Sequence, residues 1–324
     1  MSKSDSSDTD PTRYRIRWFA GRGFRQAFVH TGVGGVPLLL IHGWPETKRL
    51  YWRVIAPLAS AGFEVIVPDL RGYGDSDLGP DGKHDAPASS RDLHALVTEG
   101  LEHSEVVVAG GDFGGVVAQD LVARFPGFVD RLVLTNCPLP FEPEAMAGLR
   151  TRGSPESLDY YRRQGTDADA LIAELNTSAR RRHYVESFYT SRFWAHPGAF
   201  TVLDFHCAPF DDAERLRATW GAYEARFDPV ARSETTLMPI GGDTRTMVLY
   251  GPSDRVVAPD FDKMAGVVFP HHVGPFLLRD CGHFVPWEAA HAFTSAVTTF
   301  CSDLLAARGE SRHASSSTAA ATLA

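Results

Sequence analysis

The chain has 324 residues, 44% of them hydrophobic and 22% charged, with a formal net charge of −8. That length holds one large α/β domain, or a core with one sizeable insertion. No apolar run is long enough to span a membrane, and the acidic balance argues against a nucleic-acid partner. Residues 1–11 are rich in Ser and Asp and have no apolar stretch of the kind a secretion signal needs. A disordered acidic tail on a cytoplasmic protein is expected there. Segments 15–20 and 25–31 alternate polar and apolar residues, as an antiparallel hairpin at a sheet edge does. Apolar, β-branched runs at 36–41, 63–67, 106–109, 131–135, 246–250 and 274–278 read as strands, while helical spacing fills 51–61, 88–102 and 116–124. Strands alternating with helices predict an α/β fold with a mostly parallel central sheet covered on both faces. Between 138 and 238 the alternation breaks, and aromatic residues recur at helical spacing with Pro and Gly between them. We read this span as a helical cap, inserted over the carboxyl ends of the strands of a core made from 12–137 and 239–308. Within it Arg180-Arg181-Arg182-His183 is expected to be a solvated helix face. Residues 309–324, rich in Ser and Ala, are expected to be a second disordered tail. Cys137, Cys207, Cys281 and Cys301 lie far apart without metal-ligand spacing, so neither a zinc site nor a disulfide framework is indicated.

Gly110-Gly111-Asp112-Phe113-Gly114-Gly115 stands between a predicted strand and a predicted helix. Small residues around a reactive side chain at such a junction form a nucleophile elbow, because only small neighbours let the turn close so tightly. An aspartate there faces the free N–H groups and the positive dipole end of the helix. A carboxylate nucleophile attacks carbon by displacement and leaves an ester, which then needs a water-activating base. Taken alone, the stretch reads equally well as a glycine turn with an Asp helix cap. Asp254, in Gly251-Pro252-Ser253-Asp254, follows the fifth predicted strand of the core, and His283, in Cys281-Gly282-His283-Phe284, follows the sixth. The order nucleophile, acid, histidine, with all three in loops on one sheet edge, is that of a catalytic triad. His42-Gly43-Trp44-Pro45 follows the 36–41 strand, and the backbone N–H groups of Trp44 and Phe113 would then face a developing oxyanion. Asp69 to Asp77 is expected to be a structural loop.

These motifs together resemble the epoxide hydrolases of the α/β-hydrolase fold, from about Val36 to Ser302. An aromatic residue between His-Gly and Pro is that family's form, and Trp44 supplies it. Haloalkane dehalogenases share the Asp nucleophile but usually have Asn at the position of Trp44 and Trp at that of Phe113. Fluoroacetate dehalogenases usually carry arginines after the nucleophile, and 114–119 has none. The resemblance implies a cofactor-independent, metal-free enzyme that turns a small apolar epoxide into a vicinal diol. It also implies two cap tyrosines that protonate the departing oxygen. Asp159-Tyr160 matches the first, with Tyr161 a competitor for the role. Tyr223, in Trp220-Gly221-Ala222-Tyr223, matches the second by its interval before Asp254. His42, Pro45, Tyr161 and Trp220 are expected around the substrate, and apolar cap surfaces leave a homodimer open. The alternatives are a dehalogenase on the same scaffold, or a non-catalytic protein that binds a small apolar ligand.

Overall fold

In the computed structural model, which describes residues 8–153, 155–238 and 241–310, the alternating segments near the start pair as an antiparallel hairpin, Ile16–Gly21 (β1) with Phe24–Thr31 (β2). The apolar runs become Val36–Ile41 (β3), Phe63–Pro68 (β4), Val106–Gly111 (β5), Val129–Thr135 (β6), Arg245–Tyr250 (β7) and Val273–Leu277 (β8). All lie in one eight-stranded sheet, ordered β1-β2-β4-β3-β5-β6-β7-β8. The hairpin joins antiparallel to β4, and every neighbouring pair from there to β8 is parallel. Leu38, Leu39, Leu40, Ile41, Val108 and Ala109 are fully buried at the centre of the sheet. Each large side chain among them contributes about 1.5–3 kcal/mol relative to exposure. The last strand departs from the expected burial. β8 has a neighbour on one side only, and Val273, Phe276 and Leu277 remain exposed on it.

Helices Ile55–Ser60 (α1), Ala86–Ala95 (α2) and Asp112–Arg124 (α3) link the early strands. The Asp85 side chain caps α2 by accepting the Ala88 N–H, and the predicted continuation to 102 is instead a wider, π-helical turn, Leu96–Gly100. Among the described residues, six α-helices lie between β6 and β7: Pro155–Thr166 (α4), Ala168–Glu174 (α5), Ser178–Thr190 (α6), Leu203–Cys207 (α7), Ala213–Ala218 (α8) and Gly221–Phe227 (α9). After β7 come Phe261–Val268 (α10), Val285–Glu288 (α11) and Ala290–Phe300 (α12). The arginine cluster of α6 is more engaged than a solvated face. Arg181 donates to the Asp211 carbonyl at 2.6 Å, and Arg182 donates to the Asp211 carboxylate at 2.6 Å and also pairs with Asp204. These bonds pin α6 to the segments around α7 and α8, because two acids come opposite the basic run.

The expected tails need shortening at their inner ends. Residues 1–7 and 311–324 lie outside the described residues, but Trp52 Nε1 donates to the Asp10 carbonyl at 2.8 Å, and a final helix runs through 309 and 310. No helix among the described residues is long and apolar enough to cross a membrane.

The Asp69–Asp77 loop is held by a buried ion pair. Lys48 Nζ pairs with Asp69, whose carboxylate also accepts the N–H groups of Lys48 and Asp75 at 2.9 and 2.8 Å. Both side chains are almost wholly inaccessible, so removing one charge strands the other in a low-dielectric interior. Lys48→Met should therefore cost about 3–5 kcal/mol in urea unfolding. A loss under about 1 kcal/mol, the range of an exposed pair, would contradict this account.

Candidate active site

β5 passes into α3 without an intervening loop, which puts Asp112 on the turn with φ 46°. That left-handed conformation costs a non-glycine residue roughly 1–2 kcal/mol, and such strain collects where a side chain must be presented. Glycine is required around it. A Cβ on Gly114 would fall 2.2 Å from the Ile41 carbonyl oxygen, and one on Gly43 would fall 2.5 Å from Asp112 Cβ. The loop after β3 thus reaches the carboxylate, and the Trp44 N–H donates to Asp112 Oδ1 at 2.8 Å. Phe113 follows in the first turn of α3, where N–H groups have no partner within the helix. With Oδ1 engaged, Oδ2 is the oxygen that faces the base, 3.4 Å from His283 Nε2. That distance is long for a hydrogen bond, and catalytic contacts are often loose before substrate binds.

His283 follows β8 and is buried, with Nδ1–H donating to Asp254 Oδ2 at 2.7 Å. The other Asp254 oxygen accepts the N–H groups of Val256 and Val257 at 2.7 and 3.3 Å, which fixes the carboxylate. Burial alone would lower the proton affinity of His283. The charge of Asp254, with help from Asp112, outweighs burial and holds it well above the ordinary histidine value. Glu288 braces the loop by accepting the N–H groups of Gly282, Phe284 and His196 at 2.8, 2.9 and 2.8 Å.

Facing Asp112 from the cap is a cluster of aromatic rings built on Trp44. Tyr160 stacks on Trp44 at 5.6 Å, and Phe188, Trp194 and Tyr223 meet it edge to face at 4.7, 6.3 and 5.9 Å. Tyr160 and Tyr223 are 5.9 Å apart by ring centroids. Burial raises both phenols well above their usual value. The charge of Asp112 adds to this at both, and Tyr160 adds further at Tyr223. Both phenols stay protonated at neutral pH, and a side-chain interaction with Tyr223 offsets part of the rise at Tyr160.

The remaining predicted pocket residues separate. Tyr161 reaches Tyr223 at 5.1 Å but also faces outward to the exposed Phe227, at 5.5 Å. Pro45 is buried, with its carbonyl accepting from Tyr189 Oη. Trp220 is buried one layer back, against Tyr184 at 6.2 Å. His42 spends both ring nitrogens on the scaffold. Nε2 accepts the Leu70 N–H at 3.0 Å, and Nδ1 bonds the Gly43 carbonyl at 2.9 Å. Burial lowers it to about 4, so it stays neutral and braces the loop below the site.

Three residues at the site went unread in the sequence. Glu46 turns back to accept the Gly43 N–H, and it is pushed up to about 8 by burial first and by Asp112 second, with His283 opposing. Trp194 accepts the His283 N–H on its carbonyl at 2.7 Å, and its ring lies 4.7 Å from the imidazole. Asn136, after β6, touches the loops of both Asp112 and Asp254. None belongs to a recurring motif. Asn136 left one signal, a small polar residue ending a strand where a left-handed turn is common.

An acid on a strained strand-to-helix turn, facing a buried His–Asp pair at the carboxyl edge of a mostly parallel sheet, defines an α/β enzyme of the hydrolase type. The alpha/beta hydrolase fold family matches residues 36–290, and the chain belongs to that family. The chain is 40% identical over 109 residues to a soluble epoxide hydrolase from Corynebacterium sp. (strain C12), a match covering 32% of this chain and 37% of that protein. It is 26% identical over 326 residues to the 2-hydroxy-6-oxononadienedioate/2-hydroxy-6-oxononatrienedioate hydrolase of Escherichia coli (strain K12), covering 93% and 99% of the two chains. The epoxide hydrolase CorEH, solved without ligand, superposes with a TM-score of 0.73 at 24% identity over 90% of this chain and 99% of that one. At that identity the likeness speaks for the fold.

Proposed function

We propose that the protein is an epoxide hydrolase working through a covalent ester on Asp112, with no cofactor or metal. Asp112 Oδ2 attacks an oxirane carbon and the ring C–O bond breaks. The departing oxygen takes a proton from Tyr160 or Tyr223, and a hydroxyalkyl ester remains. His283, oriented by Asp254, then removes a proton from water as it adds to the ester carbonyl carbon. Asp112 Oδ1 becomes the oxyanion, facing the N–H groups of Trp44 and Phe113. Collapse expels the diol oxygen that was Oδ2, which takes the proton from His283, and the phenol recovers its proton from the acid left on Asp112. The observation that carries this reading is the pairing of a carboxylate elbow with two buried, protonated tyrosines under its charge. The Trp44 indole N–H donates to Thr219 Oγ1 at 3.0 Å, so it is not free to clamp a halide.

Styrene oxide, terpene oxides and long-chain epoxides test the reading directly, with vicinal diol as the expected product. Halide release from haloalkanes or haloacetates without diol would assign a dehalogenase. Turnover of a dienedioate alone would place the chain with its Escherichia coli relative, and inertness towards every class would leave a binding protein. Two proton donors share one task, so the Tyr160→Phe/Tyr223→Phe double variant should lose about 10²–10⁴-fold in the rate of ester formation. Each single variant should lose less, and Tyr161→Phe should stay near the parent rate. A double variant that forms ester at the parent rate would remove the tyrosines from the mechanism.

A further inference from the structure

Asn136 stands at the end of β6 with φ 32°, fully buried, and it bonds to the elbow, to the turn of Asp254 and to the loop before His283. Its main-chain carbonyl accepts the Asp112 N–H at 3.1 Å. Its side-chain Oδ1 accepts the Gly251 N–H at 2.8 Å, which anchors the turn carrying Asp254. Its Nδ2 donates to Asp254 Oδ2 at 2.8 Å, and to the carbonyls of Gly251 and Gly282 at 3.1 and 3.3 Å. Asp254 Oδ2 is the same oxygen that accepts from His283 Nδ1. One residue therefore gathers the nucleophile, acid and base loops, the first by its main chain and the other two by its side chain.

We propose that Asn136 is a positioning residue that holds Asp254 Oδ2 against His283 by donating to it, and so sets the base strength of His283 in ester hydrolysis. This rests on the reading of His283–Asp254 as the water-activating pair. A hydrophobic residue could fill the space, and a glycine could adopt the turn. Neither could donate to a carboxylate while accepting a backbone N–H. Burial makes the arrangement consequential, because an unpaired polar group there keeps its full desolvation penalty. The other titratable groups that interact with the pair are Asp112, Glu46, Glu288, Tyr160, Tyr250 and Cys281. None of them donates a hydrogen bond to Asp254.

Asn136→Asp tests the donor. It keeps the shape and tolerates positive φ, but it sets a carboxylate beside Asp254. The two acids either share a proton, which draws Oδ2 away from His283, or stay charged and hold the imidazolium. With styrene oxide, ester should form at a rate near the parent's. Ester decay should slow at least about tenfold at neutral pH, with its acid limb displaced upward by about a unit if both acids stay charged and with an unmoved limb if they share a proton. Equal losses in both steps with an unmoved limb, matched by Asn136→Gly, would reduce Asn136 to packing and overturn the proposal. A measurement without site variants stands beside this one. The chain has two asparagines, Asn136 and Asn176, so ¹⁵N-asparagine labelling with Asn176→Ser leaves one side-chain amide signal. In the free protein that signal should titrate together with His283, above the acid limb of ester decay, and a signal that stays still while His283 titrates would overturn the proposal. Failure of the underlying reading looks different: no ester on the His283→Gln protein with asparagine intact.

Discussion

Asp112→Asn should fold and lose at least about 10⁴-fold in kcat/KM toward any epoxide the parent turns over, the scale on which removing a nucleophile acts. Asparagine is the informative replacement. It tolerates the positive φ of the elbow, where alanine would add strain to the loss of chemistry. It also keeps an oxygen for the Trp44 N–H, so the loop after β3 stays in place. What disappears is the charged Oδ2, the oxygen aimed at the substrate and 3.4 Å from His283 Nε2. The change removes one of the charges that hold the proton on His283, so that histidine should titrate at lower pH in the variant than in the parent. Parent-level turnover by Asp112→Asn would mean that the elbow acid is a helix cap after all.

His283→Gln should separate the two halves of the reaction. In the proposed mechanism ring opening needs Asp112 and the tyrosines, whereas ester hydrolysis needs a base. The variant should therefore gain the mass of one epoxide and hold it, with steady turnover down by about 10³–10⁶-fold. Peptide mapping should place the added mass on Asp112. The pH behaviour follows from the same charges. In the free enzyme Asp254 and Asp112 keep His283 protonated above its ordinary range, in spite of burial. Once Asp112 is an ester, its charge is gone and His283 more readily gives up its proton, so the base is released when it is needed. The acid limb of ester decay should thus lie below the titration of His283 in the free protein. A single midpoint for both would contradict that sequence of events.

Much of the sheet was legible because β3 to β7 are buried on both faces, which leaves unbroken apolar runs. β8 reads as the same kind of run yet lies at the sheet edge, and composition cannot show which strand has lost a neighbour. Asp112, Asp254 and His283 could be found because the turns after parallel strands carry them to one edge in a recognisable order. Glu46, Trp194 and Asn136 could not, since each acts through a contact between distant segments. Trp194 reaches His283 across the core–cap boundary, and Asn136 reaches Asp254 from a neighbouring strand end. The cap resisted reading for a different reason. Its aromatic residues satisfy one another across helices, as in Tyr160–Phe188 and Tyr161–Phe227, so their spacing does not follow one helical face. His42 is the opposite case, a motif residue whose two ring nitrogens both bond the loops around it.

The covalent route makes one demand that no other hydrolytic mechanism shares: the new oxygen of the diol must come from the protein. With enzyme in excess over epoxide in oxygen-18 water, the diol of the first turnover should carry no label, and one heavy oxygen should appear in Asp112. Label in that first diol would mean that water attacks the epoxide directly, and the account built on Asp112 would fail.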